Sequence, residues 1–298
     1  MAPASAMLIG IDTGGTFTDF VCVEGGRMRI HKEPSTPANP ALAIVAGLRQ
    51  LGAEAGATIV HGSTVATNAL LERKGARAAL ITTAGFEDVL EIGRQARRAI
   101  YDLNVTKPSP LVPADRRLGV RERLGPGGEV IEPLSAGDVT AAVERVRALK
   151  VESVAVCLLH AYANPAHETA MAEALEREAG LFVTASHAVL PEFREYERCS
   201  TTAMNAYVGP VMNRYLGRLG EQLTGHRVRI MQSNGGILSL DAARRQAVQT
   251  ILSGPAGGAV GGFEAGRRAG FDQVITFDMG GTSTDVSLCP GGLNRSSE

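Results

Sequence analysis

Cysteine is sparse and unpatterned. Cys22, Cys157, Cys199 and Cys289 stand far apart, with no Cys-x-x-Cys and no metal-ligand spacing. In a chain of 298 residues such thiols read as buried and reduced, the state expected of a cytoplasmic protein. Charge of one sign is also missing: 30 Lys and Arg against 31 Asp and Glu leave a net charge of −1. That balance excludes a nucleic acid or an anionic membrane held by bulk electrostatics. No uncharged apolar run approaches the roughly 20 residues that span a bilayer. Met1 to Ile11 lack a basic segment followed by a long apolar run, so no signal peptide is expected. The common phosphate-binding signatures are absent, with no G-x-G-x-x-G and no G-K-[ST], and no G-x-S-x-G elbow surrounds a serine.

What remains, 44% hydrophobic and 20% charged residues, is the balance of a soluble globular protein of one large or two ordinary domains. Met7–Ile11, Phe20–Val23 and Met28–Ile30 read as three short strands joined by tight Gly-rich turns. Helical and strand patterns then alternate: helices over 40–51, 64–74, 135–150 and 165–179, strands over 58–60, 78–82, 154–159 and 182–183. That alternation predicts an α/β fold. Residues 101–133, rich in Pro, Gly and Arg, predict an insertion with short strands. A long helix over 194–223, a strand over 228–231, a helix over 254–269 and a strand over 274–277 follow. A boundary is expected near 187/188, ahead of the long helix.

One octad occurs twice. Asp12-Thr13-Gly14-Gly15-Thr16-Phe17-Thr18-Asp19 and Asp278-Met279-Gly280-Gly281-Thr282-Ser283-Thr284-Asp285 agree at six of eight positions. Each follows an apolar strand and precedes another. Consecutive glycines let the backbone turn sharply and approach a phosphate, and their N–H groups form an anion-binding concavity. The threonine hydroxyls add donors, and an Asp at the end of the incoming strand can hold Mg²⁺ directly or through water. Two ordinary hairpin turns would share this composition; the matched strand contexts favour the phosphate reading.

A duplicated strand–loop–strand unit resembles the actin/sugar-kinase/heat-shock-chaperone ATPase superfamily, in which each of two lobes presents such a hairpin to a nucleotide. The segment Ser253-Gly254-Pro255-Ala256-Gly257-Gly258-Ala259-Val260-Gly261-Gly262 stands where that superfamily has a connecting helix. Its small residues suit tight helix packing as well as nucleotide contact. Further segments resemble the hydantoinase A/ATP-dependent 5-oxoprolinase family: 61–75, from His61-Gly62-Ser63-Thr64 to Gly75; Gly85-Phe86-Glu87-Asp88; Ile92 to Arg97; Tyr101-Asp102-Leu103; Arg194 to Arg198; and Gln232-Ser233-Asn234-Gly235-Gly236. The resemblance runs from about Met7 to Leu288.

The fold this implies is α/β, an actin-like ATPase fold with lobe I complete and lobe II truncated. Residues 1–187 would be the family's N-terminal domain with the first phosphate hairpin, and 188–298 the start of its central domain with the connecting helix and second hairpin. The implied activity is ATP-dependent opening of a small cyclic amide through phosphorylation of the ring carbonyl oxygen. ATP and Mg²⁺ are the implied cofactors, with a further divalent metal in the alternative of a ketone carboxylase subunit. Asp12 and Asp278 would bind the metal and, with His61, serve catalysis. Gly14, Gly15, Thr16, Thr18, Gly280, Gly281, Thr282, Thr284, Gly254 and Gly257 would hold the nucleotide. Ser63, Thr64, Arg94, Arg97 and Asn234 would face the substrate. Read without the family, Ser63 or Thr64 is a helix cap, His61 a hydrogen-bonded histidine, Asn234-Gly235-Gly236 a turn, and 194–198 a run of surface ion pairs. An oligomer, a second subunit to complete the site, and poor ATP hydrolysis by this chain alone are expected. A catalytically inactive nucleotide-binding fragment is the remaining alternative.

Overall fold

The computed structural model describes residues 7–36, 39–53, 55–96, 101, 104, 107–279 and 284–293. The chain forms two compact units: Met1–Leu71 with Met212–Glu298, and Glu72–Val211. The boundary expected at 187/188 falls inside the second unit, because the chain leaves unit one after Leu71 and returns to it at Met212.

Unit one opens with β1 (Leu8–Thr13), β2 (Phe17–Glu24), β3 (Arg27–Pro34), α1 (Pro40–Gln50), β4 (Thr58–Ser63) and α2 (Val65–Leu71). Unit two contains β5 (Ala78–Thr83), α3 (Val89–Ile92), β6 (Arg117–Val120), β7 (Arg123–Leu124), β8 (Val130–Glu132), α4 (Ala136–Ala148), β9 (Ser153–Cys157), α5 (Ala166–Ala179), β10 (Phe182–Ala185) and α6 (Ser186–Val189). Helix α7 (Glu195–Gln222) leads back to unit one, which ends with β11 (Arg227–Met231), β12 (Ile237–Ser239), α8 (Leu240–Arg245), α9 (Ser253–Arg268), β13 (Gln273–Met279) and β14 (Thr284–Pro290).

The main sheet of unit one has the order β12-β11-β4-β1-β2-β3. β1, β2 and β3 form an antiparallel meander, while β4 and β11 run parallel to β1. Side chains alternate across a strand. Ile9, Ile11, Phe20, Cys22, Ile59, His61 and Ile230 therefore share one face, and all are buried. Helices α1 and α7 cover that face. α1 lies close because Gly47 sits under Phe20: a Cβ there would stand 2.3 Å from the ring. α7 contributes Met212, Tyr215, Leu216 and Leu219, all buried and at helical spacing.

Unit two is built on an all-parallel sheet, β10-β9-β5-β6. β5 and β9 are buried along their whole length, as strands covered on both faces must be. Ala79, Ile81, Val154 and Val156 pack with Val143, Val146, Met171 and Leu175 of α4 and α5. Ala78, Leu80, Ala155 and Cys157 pack on the other side with Cys199, Ala203 and Ala206 of α7.

Of the ion pairs expected on the surface over 194–198, Glu197 forms one with Arg94, whereas Arg198 turns into the core. Arg198 is the largest fully buried side chain among the described residues. Its guanidinium donates to the Leu158 carbonyl at 2.9 Å and to Ser186 Oγ at 2.7 Å, and it pairs with Glu195. Beside it the buried Glu168 accepts from the Leu158 N–H at 2.8 Å, the Ser186 hydroxyl at 2.6 Å and His187 Nδ1 at 2.7 Å. A buried charge needs this many partners to offset its lost hydration.

Candidate functional site

The two octads form hairpins in the same register. In the first, Asp12 lies opposite Asp19 and Thr13 opposite Thr18; in the second, Asp278 lies opposite Asp285 and Met279 opposite Thr284. Gly14 closes the first turn, its N–H donating to the Phe17 carbonyl at 3.0 Å. A Cβ on Gly14 would meet that oxygen at 3.2 Å, so the turn as built favours glycine. Gly15 and Thr16 are exposed, and nothing lies within 4 Å of a Cβ built on Gly15. Thr18 is turned inward: its hydroxyl lies 3.1 Å from Ser35 Oγ, which in turn donates to the Gly14 carbonyl at 2.8 Å. Ser35 thus braces the loop from behind, a role with no local signal in sequence. Asp19 pairs with Lys32 across the β2–β3 ladder at 3.0 Å. Thr284 is exposed at the start of β14, while Gly280, Gly281 and Thr282 lie outside the described residues.

The carboxylates of the two hairpins come within electrostatic reach. The pKa of Asp12 is raised, first by burial and then by the negative charges of Asp19 and Asp278. Two backbones that lack a Cβ flank the pair. A Cβ on Gly62 of β4 would stand 3.3 Å from Asp12 Oδ1, and one on Gly258 of α9 would stand 3.5 Å from Asp278 Oδ2.

Helix α9 reaches β13 through a glycine stripe. Cβ atoms on Gly262 and Gly266 would approach Thr276 and Val274 to 2.5 Å each. Steps of four residues along a helix (~6 Å) match steps of two along a strand (~6.6 Å), so Gly258, Gly262 and Gly266 meet Asp278, Thr276 and Val274 in turn. A Cβ on Gly257 would stand 2.8 Å from Met231 Sδ, and one on Gly254 would meet nothing within 4 Å. Gly257 therefore packs tightly, while Gly254 leaves room for a ligand.

The segment after β4 ties these parts together. Ser63 Oγ caps α2 by accepting the Val65 N–H at 3.2 Å, and Thr64 Oγ1 donates to the Thr13 carbonyl at 3.3 Å. Ser253, in the first turn of α9, donates to the Ser63 carbonyl at 3.4 Å. His61 does not share the Asp12 face. It lies in register with Ile11 on the core face, is fully buried, and has its pKa lowered to about 4 by that burial. Its Nε2 meets the Tyr215 hydroxyl at 2.6 Å. Asn234 Oδ1 accepts the Gly236 N–H at 2.8 Å, and Gly235 has φ +78°, a turn of the kind its sequence indicates. Arg94 belongs to unit two, where it pairs with Glu197. Arg97 lies outside the described residues.

Among the described residues no three Asp, Glu, His or Cys side chains converge on one point. Mg²⁺ needs no such cage, since it keeps several waters and takes one or two carboxylates plus phosphate oxygens. Asp12 and Asp278 fit that donor set, and the Asp12 pKa is raised by burial first and by neighbouring negative charge second, both of which a bound cation offsets. No helix among the described residues is long and apolar enough to cross a membrane.

Residues 8–179 match the hydantoinase/oxoprolinase N-terminal region, and residues 198–298 match the hydantoinase/oxoprolinase family. The chain is 39% identical to caprolactamase subunit alpha of Pseudomonas jessenii over 97% of its own length and 44% of that protein. It is 36% identical to 5-oxoprolinase 1 of Arabidopsis thaliana over 96% of its own length and 26% of that protein. A nucleotide-free structure of acetone carboxylase, from a study of ATP-dependent acetone carboxylation, superposes with a TM-score of 0.87 at 30% identity, covering 98% of this chain and 45% of that one. The chain thus spans less than half the length of each.

Proposed function

The chain belongs to the hydantoinase/oxoprolinase family, and from that premise we propose that it serves ATP-dependent hydrolytic opening of a cyclic amide of the 5-oxoproline or hydantoin type. The observation that carries the reading is the pair of register-matched hairpins, with the Asp278 carboxylate near enough to add, after burial and Asp19, to the raised pKa of Asp12. A lactam resists water because its amide is resonance-stabilised. Transfer of the ATP γ-phosphoryl group to the ring carbonyl oxygen makes that oxygen a leaving group. Water then adds to the carbon and the C–N bond breaks, freeing the amine and leaving an acyl phosphate. A second water cleaves that acyl phosphate to the carboxylate of the open amino acid and free phosphate, ADP having been released by the transfer.

Phosphoryl transfer needs positioning and charge neutralisation above all. Asp12 and Asp278 are the proposed holders of Mg²⁺, which would neutralise charge on the phosphate oxygens. Gly14, Gly15, Thr16 and Gly254, with Gly280, Gly281, Thr282 and Thr284, are the proposed phosphate contacts. Thr18, bound to Ser35, shapes the loop from inside. Arg94 and Arg97 are proposed for a substrate carboxylate, Arg94 exchanging Glu197 for it. His61 is buried on the far face, which supports a positioning role in place of contact with reacting atoms. Asn234, Ser63 and Thr64 hold backbone in place.

The likeness to acetone carboxylase favours a second reading, a subunit of an ATP-dependent ketone carboxylase. The test is ADP release by this chain purified with any co-purifying chains. Lactam- or hydantoin-dependent, Mg²⁺-dependent release supports the first reading. Release that needs acetone and bicarbonate supports the second. Mg²⁺-dependent ATP binding without either leaves the chain a nucleotide-binding module, and no binding at all refutes the shared site.

A further inference from the structure

Tyr215 takes no part in the roles assigned above. It lies on α7 within unit one and is only 8% exposed. Its hydroxyl stands 2.6 Å from Nε2 of His61, a residue 154 positions earlier. The Ser63 hydroxyl lies near the same oxygen, and Ser63 Oγ accepts the Val65 N–H at 3.2 Å. The direction of these bonds follows from the chemistry of the ring. His61 is neutral, so it carries one N–H. Its Nδ1 faces the Ile11 carbonyl short of full hydrogen-bond geometry, and a carbonyl tolerates an N–H there but repels a lone pair. The proton therefore sits on Nδ1, and Nε2 accepts from Tyr215. His61, Tyr215 and the neighbouring Ser63 form one relay of buried polar groups, in which the Tyr215 hydroxyl donates to His61 and Ser63 Oγ accepts the Val65 N–H.

Two members of this relay, His61 and Ser63, adjoin backbone that shapes the carboxylate site. Gly62 lies between His61 and Ser63, and a Cβ on it would come within 3.3 Å of Asp12 Oδ1. The Ser63 carbonyl holds Ser253 at the start of α9, and Thr64 holds the Thr13 carbonyl.

We propose that Tyr215 is a positioning residue of the magnesium–nucleotide site: from the core face it fixes His61 and Ser63, and so holds the Gly62 backbone against the Asp12 carboxylate. The proposal rests on the reading of Asp12 as a magnesium–nucleotide ligand. The perturbation is Tyr215→Phe, which removes one hydroxyl and little volume. Two readouts separate positioning from simple stability. Ring ¹⁵N NMR of the histidine-labelled chain should show His61 as one neutral tautomer, protonated on Nδ1, and Tyr215→Phe should move the Nε2 resonance downfield as that nitrogen loses its hydrogen-bond donor. Calorimetric titration with Mg·ATP should show affinity falling about tenfold, the scale of one orphaned buried polar partner. Leu219→Ala, a fully buried change on the same helix, should cost stability yet leave affinity unchanged.

Should Tyr215→Phe fold poorly, Ser63→Ala breaks the relay at another member and should weaken Mg·ATP by several-fold. Wild-type binding with unchanged affinity in both Tyr215→Phe and Ser63→Ala would overturn this proposal alone. Equal affinity losses in Tyr215→Phe and Leu219→Ala would do the same, reducing Tyr215 to core packing. No Mg·ATP binding by the wild type would overturn the site reading and this proposal together, with the tautomer still reporting whether the relay exists.

Discussion

The internal repeat supplies a controlled comparison of one residue type in two environments. Isoleucine occupies equivalent positions of the two hairpins, Ile9 in β1 and Ile275 in β13, 266 residues apart. Ile9 is 0% exposed beneath α1 and α7, whereas Ile275 is 68% exposed. The same change, Ile→Ala, made at each site loses the same strand preference, so the difference isolates burial. At Ile9 it removes a fully buried side chain and leaves a cavity, which costs about 2–5 kcal/mol. At Ile275 some two-thirds of the side chain already meets solvent and no cavity forms, so the loss should stay near ~0.5 kcal/mol. Both residues lie in unit one and are read by one urea transition followed by far-UV circular dichroism. The Ile9→Ala midpoint should drop sharply at constant slope while that of Ile275→Ala barely moves. Equal losses, independent of protein concentration, would refute the reasoning. They would mean that the outer face of β13–β14, with Phe277, Val286 and Leu288 also above half exposed, is covered in solution.

Other outcomes follow from the same geometry. Asp12 has a raised pKa, so its ionised form is a penalty in the folded chain at neutral pH. Asp12→Asn should therefore stabilise the free chain, by about 0.5 kcal/mol given its solvent contact, while a thermal-shift titration loses its Mg²⁺·ATP response. His61 is neutral when folded, with a pKa of about 4 against an ordinary 6.5. The unfolded chain thus binds the extra proton between those values, and stability falls as pH drops from 6.5 towards 4, by about 3 kcal/mol in all; urea midpoints at both ends, compared with His61→Asn, measure it. Gly262→Ala would press a Cβ to 2.5 Å from Thr276 and should cost about 1–3 kcal/mol in thermal melts. Gly261→Ala, next to it in α9 with nothing within 4 Å, should gain up to ~1 kcal/mol.

Periodicity made much of the fold legible. The strand and helix patterns over 58–83 and 135–185 are local, and each has its counterpart in the structure. The octads were legible for a different reason: a repeated turn needs the same residues wherever it occurs, and the two hairpins share one register. The short elements β12 and α8 were missed, since three and six residues carry too little periodicity to register. The two-unit division was not legible either. It depends on the chain returning to a sheet it left 140 residues earlier, between Leu71 and Met212, and no local composition records that return.

What sequence could not assign was orientation. His61 and Gly62 are neighbours in a motif, and a motif read as a string treats them alike. A strand sends them to opposite faces, so Gly62 meets Asp12 while His61 turns to Tyr215. The same holds for Thr18, which looks like a phosphate donor in the octad yet turns inward to Ser35. Arg198 shows the converse error. Alternating charge over 194–198 reads as a solvated face, but helix α7 sends Arg198 into the core, where Glu195, one turn away, is part of its partner set. In each case the chemistry was visible and its direction was not. Direction is set by partners that lie 154 residues off for His61 and 17 for Thr18. The residues that brace this site, Ser35 and Tyr215, sit outside every motif because their contribution is to hold backbone in place, and any chain segment that reaches the right depth can supply it.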